Sequence, residues 1–419
     1  MHQIRTLSNG IRVVSEKVPD VRSVSIGVWI GNGSRHENLQ ESGISHYIEH
    51  MLFKGTRHRD AWQIAKEIDA VGGQINAFTA REYTCYYTKT LDEHASLAID
   101  ILSDMLFYPR LDKKDMELER QVIIEEINMY ADEPDELVQD LIMEAAYGEN
   151  PLGRPILGTP ESLAGIDGTY MQNYISTHYT ARNMVIAVSG NFTEEIFALL
   201  QKKFTQNSVA GWELPLEKAV WKPQKIIRTK DVEQVQLVLG YESIDALDED
   251  VYSLMAFNNV FGNGMSSRLF QNIREKLGLA YSIYAYHAAY LDAGMFNISA
   301  GMSPENLNRV GSLILDEVDK VRREKLNQEE VATAKEQLKG NYILSYESVS
   351  ARMQGAGRSL LLNKPIYSQE ETLQKIEAVS TDSVAEIIDR VLRPDTLCAA
   401  VVGPVDKIDF LNGGRLYEN

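Results

Sequence analysis

Cysteine is scarce: Cys85 and Cys398 are the two in 419 residues. They lie far apart with no metal-type spacing, which argues against a disulfide framework and a thiolate zinc site. Two small buried hydrophobes are the expectation. No uninterrupted apolar run approaches the roughly 20 residues that span a bilayer, and the opening "MHQIRTLSNG" has no charged-then-apolar leader pattern. The expectation is a cytoplasmic protein with no membrane partner. Basic residues are also in short supply, 42 Lys and Arg against 60 Asp and Glu, a net charge of -18. That excess argues against nucleic acid and favours basic substrates, although solubility alone explains the acidity of most cytosolic proteins.

What is present suits a soluble globular chain, 44% hydrophobic and 24% charged, too long for one ordinary core. A repeat of about 210 residues organises it. The first half opens with "TLSNGIRVV", where Asn9-Gly10 supplies a hairpin turn, then "SVSIGVWIG", with Val24, Ile26, Val28 and Ile30 on one strand face. The second opens with "EQVQLVLGY", in which Val235, Leu237 and Leu239 alternate in the same way. From Leu163 to Gly190 and from Ile376 to Gly403 the two halves keep register without a gap through a helix, a strand and a glycine stop. The stretch from Thr205 to Gln224 has neither periodicity and reads as a linker. These patterns predict an α+β fold of two homologous domains, 1–210 and 225–419, each a mostly antiparallel sheet packed against helices.

One stretch, "ISHYIEHMLFKGT", places two histidines four residues apart with a glutamate between them. On a helix, Ile44, Tyr47, Ile48, Met51 and Leu52 share one side, and His46, Glu49, His50 and Phe53 the other. Imidazoles one turn apart reach a single ion, but the same pattern also suits a solvated face; Phe53 argues against the latter. A third ligand is sought in "MELERQVIIEEINMYADEPDELVQD". There Met116, Val122, Ile123, Ile127 and Tyr130 form an apolar face with Glu119 and Glu126 in its middle, two turns apart, while Glu125 points outward. A carboxylate aimed into a core is costly unless paired or bound to metal. Buried glutamates held by basic partners are the alternative; with the histidine face, His46, His50 and Glu126 make an open His2Glu set of the catalytic zinc type.

"HYIEH" is an inverted His-x-x-Glu-His signature. With Glu119 and Glu126 downstream and "HMLFKGT" after it, the whole chain resembles the pitrilysin/insulinase family of zinc peptidases, most of all the branch of the mitochondrial processing peptidase β subunit and its bacterial homologues. The resemblance implies a clamshell of two homologous domains and Zn2+ held by His46, His50 and Glu126. It further implies Glu49 as general base, Glu119 orienting a ligand histidine, and Arg274 and Tyr281 reaching the substrate from the second domain. Asn76, Ala77, Phe78 and Thr79 match an edge strand to which an unfolded peptide adds, Phe53 a pocket for an apolar residue after the cut, and Glu136 and Asp140 an acidic pair that reads a basic residue before it.

The repeat sets His46, Glu49 and His50 against Leu254, Phe257 and Asn258, and Glu119 and Glu126 against Ala334 and Asn341, so the second half keeps no metal chemistry and is expected to close the chamber. The expected activity is a zinc endopeptidase acting on extended, basic peptides, as a homodimer or paired with a related chain. The alternative is a catalytically silent structural or regulatory partner subunit; such subunits usually lose part of the metal motif, which here is intact.

Overall fold

The structure is a computed structural model in which residues 2–205 and 216–411 are described. Residues 206–215 of the expected linker lie outside them. The α+β class is as expected, and each repeat builds one sheet. The first sheet contains β1 (His2–Thr6), β2 (Arg12–Lys17), β3 (Ser23–Ile30), β4 (Gln74–Thr79), β5 (Thr84–Leu91) and β6 (Met184–Gly190) in the order β1-β2-β6-β3-β5-β4. The second contains β7 (Lys225–Thr229), β8 (Val235–Ser243), β9 (Ser282–Ala289), β10 (Gly294–Met302) and β11 (Cys398–Gly403) in the order β7-β11-β8-β10-β9. In each sheet one pair, β2 with β6 or β7 with β11, runs parallel and the rest antiparallel. Helices Gly168–His178 and Thr381–Val391 sit at equivalent places in the gap-free repeat and have the same length, 11 residues. The glycine stop is steric as well as conformational: Gly190 has φ 125°, and a Cβ there would lie 2.2 Å from the Ser23 carbonyl oxygen.

The compact units cut across the sequence division at 210 and 225. One comprises the described residues of 1–127, 155–217 and 343–368; the other comprises those of 128–154, 218–342 and 369–411. Strand patterning explains why each sheet needs the borrowed segment. β3 alternates Val24, Ile26, Val28 and Ile30 into one core, yet Trp29 on its other face is also buried. Helix Val349–Leu361 covers that second face, bringing Met353, Ala356 and Leu360 against Val14, Trp29, Cys85 and Val185. In the other unit helix Pro134–Tyr147 does the same, packing Val138, Leu141 and Ile142 against Val238, Cys398 and Ala400. A two-faced sheet buries apolar side chains at every position, so a helix removed from either face would leave them in water. Both cysteines are buried and unpaired, as expected. Among the described residues no helix is long and apolar enough to cross a membrane.

The borrowed segment 343–368 is fastened by charge. Glu16 of β2 accepts from the Tyr346 hydroxyl at 2.6 Å and the Arg352 guanidinium at 2.8 Å, and His2 lies 3.5 Å away. Burial opposes its charge, but the hydrogen bonds of His2 and Tyr346 and the charges of His2 and Arg352 outweigh that and hold the carboxyl at about 2. A carboxyl depressed on folding contributes stability above its unfolded pKa, near 4.5, and loses it as pH falls through 2. The expected contribution is up to about 3 kcal/mol. Thermal midpoints measured between pH 4.5 and 2 should fall more steeply in the wild type than in Glu16→Gln; parallel profiles would remove Glu16 from the account.

Candidate metal centre

The HYIEH stretch is helical from Ile44 to Leu52, and its apolar side, Ile44, Tyr47, Ile48, Met51 and Leu52, is buried in the first core as the spacing predicts. The opposite side is not a solvated face. His46 is only 8% exposed, and His50 and Glu49 are half-buried. The second glutamate-bearing segment forms one helix, Lys113–Asp132, tied to the first by the Tyr47 hydroxyl, which donates to the Met116 carbonyl. Its buried face is Met116, Glu119 and Ile123, with Glu126 and Ile127 half-buried and Glu125 exposed. Val122 departs from the expectation: it is 49% exposed, because it lies about 100° around the helix from Ile123 while Glu119 shares the Met116 side.

These helices bring the three expected ligands together. His46 Nε2 and His50 Nε2 each lie 3.7 Å from the same Glu126 oxygen, and all three ligand atoms fall within 4.8 Å of one another. Tetrahedral zinc with bonds of about 2.0–2.1 Å separates its ligand atoms by roughly 3.3 Å, so small side-chain adjustments close the set. The donor chemistry fits as well. Desolvation, and then the charge of His50, push His46 down to about 3, so its imidazole is neutral as a ligand must be. Burial raises the Glu126 carboxyl against the pull of His50, and a cation at this point would lower it. Glu119, 6% exposed, accepts from His50 Nδ1 at 3.0 Å and thereby leaves Nε2 for the ion.

Glu119 has a second partner that sequence reading missed. The Lys54 ammonium pairs with its other oxygen, one turn beyond His50 in the "HMLFKGT" segment. A lysine following the motif by one helical turn was the available signal. Glu49, the residue inside the motif, accepts from the Thr79 hydroxyl at 2.5 Å. Burial raises its carboxyl first, the Thr79 bond and His50 lower it, and Glu126 raises it again. Thr79 ends β4, which is an edge strand of the first sheet, so the strand of Asn76, Ala77, Phe78 and Thr79 runs to Glu49. Asn76 is exposed and the other three are half-buried.

The remaining expected residues lie as follows. Phe53 caps the C-terminus of the metal helix and packs half-buried against the first core. Glu136 and Asp140 share a face of helix Pro134–Tyr147, Glu136 exposed and Asp140 half-buried, in the second compact unit. Arg274 and Tyr281 belong to that unit too. Arg274 stands in a π-helical turn, Phe270–Glu275, with its guanidinium 4.7 Å from the Phe270 ring and 6.0 Å from the Tyr281 ring, and Tyr281 is 73% exposed. Of the positions set against the metal residues by the repeat, Leu254, Phe257 and Ala334 are fully buried in the second unit's core, while Asn258 is half-buried and Asn341 exposed. Among the described residues, His46, His50 and Glu126 form the one cluster of metal-ligand geometry.

The family model described as insulinase (peptidase family M16) fits residues 12–160, and the one described as the peptidase M16 inactive domain fits residues 166–338. An uncharacterised zinc protease of Bacillus subtilis is 42% identical over 94% of this chain and 97% of its own length. One of Streptomyces coelicolor is 37% identical over 96% and 89%. In fold, the chain superposes on a protease from Helicobacter pylori with a TM-score of 0.91 at 22% identity, covering 96% of this chain and 99% of that one.

Proposed function

The chain belongs to the insulinase family of peptidases, family M16, and from that premise we propose that it is a zinc-dependent endopeptidase acting on extended, basic peptides. The observation that carries the reading is the convergence of His46, His50 and Glu126 on one point, with the Glu49 carboxylate of the same helix held by Thr79. Zinc, when bound, acidifies water and polarises a peptide carbonyl. Glu49 takes the proton of the attacking water and returns it to the leaving amine. Glu119 and Lys54 keep His50 turned toward the ligand set. β4 offers its free edge to a peptide backbone, a mode that demands an unfolded segment. Arg274 and Tyr281 enter this proposal as catalytic helpers from the family resemblance alone. So do Phe53, beside an apolar side chain after the cut, and a dimer of like or related chains; a cytoplasmic location is proposed as the default drawn from the sequence.

The test is zinc analysis together with mass spectrometry of the products from a mixed peptide pool. About one zinc per chain and cuts within extended peptides support the reading; absence of both leaves the silent partner subunit. The proposed acidic reader is tested in the same assay. Two carboxylates one turn apart accept an arginine through charge-assisted bonds of about 1.5–3 kcal/mol each. Glu136→Gln combined with Asp140→Asn is therefore expected to weaken selection for Arg or Lys at the cut about tenfold, with zinc content unchanged. An unaltered basic preference would return the pair to an ordinary helix face.

A further inference from the structure

The metal helix begins without a side chain that can cap it. Its N-cap is Gly43, at φ 89°, and no side chain of its own takes up the first N–H groups. The acceptor comes from six residues upstream. Glu37, 3% exposed, forks over the helix end: one oxygen accepts from Gly43 N at 2.7 Å and the other from Ser45 N at 2.8 Å. A buried chain of donors stands behind it. Tyr174 donates to Asn32 Oδ1 at 3.2 Å, Asn32 Nδ2 donates to Ser45 Oγ at 3.0 Å, and the Ser45 hydroxyl bonds Glu37. The backbone at this point has no slack. A Cβ on Gly43 would lie 2.5 Å from the Leu157 carbonyl oxygen, and one on Gly158 would lie 2.3 Å from that of Ser42.

We propose that Glu37 is a positioning residue of the metal centre: a remote cap that fixes the rotation and axial position of the Ile44–Leu52 helix and so the aim of His46, Glu49 and His50. The inference rests on the zinc-peptidase reading. His46 directly follows Ser45, whose N–H one Glu37 oxygen holds, so a shift at the helix start passes to the first ligand without a flexible joint. A purely apolar packing solution would serve stability at lower cost, because burial pushes the Glu37 carboxyl up to about 7 against the pull of Ser45 and Gly43. The fork also places the carboxyl at a helix N-terminus, where the peptide dipoles favour its charged form. What Glu37 gives in return is direction: two N–H groups bound to one rigid carboxylate define an axis, which packing alone does not.

The test uses the full chain and zinc itself as the probe. Zinc affinity is measured by competition with a chromophoric chelator, coordination geometry by the visible absorption of the cobalt(II) form, and fold stability by thermal unfolding. Glu37→Gln keeps the side chain's size and loses one arm of the fork; the expected result is a tenfold or greater loss of zinc affinity and an altered cobalt spectrum. Glu16→Gln serves as the control, a buried carboxylate of the same compact unit whose hydrogen bonds go to Tyr346 and Arg352. It is expected to lower the unfolding temperature while keeping zinc affinity within twofold. Should Glu37→Gln fail to fold, Glu37→Asp carries the comparison, since a side chain one methylene shorter cannot span both N–H groups. Zinc affinity within twofold of wild type in the folded Glu37 variant overturns the inference and leaves the metal reading standing. A wild type that binds no zinc overturns both.

Discussion

His50→Ala and Glu126→Ala are each expected to strip the chain of zinc under dialysis and to abolish peptide hydrolysis. The geometry makes the loss steep. With three protein ligands converging within 4.8 Å, removing one leaves two, and the described residues contain no second cluster of this kind. An apparent binding free energy of about 10–16 kcal/mol spread over four ligand positions assigns roughly 3–4 kcal/mol to each, so one deletion costs about 10²–10³ in affinity. Two comparisons separate coordination from general damage. Glu119→Gln touches the site only through His50 Nδ1 and Lys54, and should cost about 10–100-fold with the ligands still present. Glu125→Ala alters a neighbour of Glu126 that points into water and should change nothing. The measurement is metal content after exhaustive dialysis, followed by chelator competition on each variant. Full zinc retention in either ligand variant would sink the assignment.

The parts of this site that were legible in the sequence are those carried by helical period. Two imidazoles at i and i+4 on a helix whose other side is apolar, and two glutamates seven apart in an apolar stripe, can be placed by counting at about 100° per residue. Glu119 at 6% exposure bears out that count. The repeat was legible for the related reason that strand alternation and a steric glycine leave a pattern in one dimension. Period states that a face is buried, however, and not what buries it. Helices Pro134–Tyr147 and Val349–Leu361 belong to the compact unit of the other repeat, which shows only in the clusters that group Met353 with Trp29 and Val138 with Val238. Val122 is exposed despite its hydrophobicity because its angular position takes it off the buried stripe. Glu37 and Lys54 were missed for a third reason. Each acts across a turn or a loop, Glu37 on Gly43 and Ser45 and Lys54 on Glu119, and no spacing rule links a loop carboxylate to the helix it caps.

Glu49→Gln is the variant that separates binding from chemistry. Glu49 lies on the same helix face as the ligands but is not one of the three converging atoms, so the amide should keep zinc at wild-type stoichiometry. Gln is isosteric and can still accept from the Thr79 hydroxyl, now 2.5 Å from the Glu49 carboxylate, which keeps the side chain in place. What it cannot do is take a proton from water. General base and acid roles are worth about 10²–10⁴ in rate, and here one group serves both, so kcat is expected to fall by that range or more while KM changes little. Thr79→Val gives the complementary result. It leaves the carboxylate chemically intact but unheld, and should cost about tenfold or less, in line with one lost hydrogen bond of roughly 1–1.5 kcal/mol. The order of the two losses is the informative quantity, read from steady-state hydrolysis of a fluorogenic peptide alongside zinc analysis of each preparation. If Glu49→Gln retained more than a tenth of wild-type turnover with its zinc in place, the base would have to be another group, and the proton path proposed through this helix would be wrong.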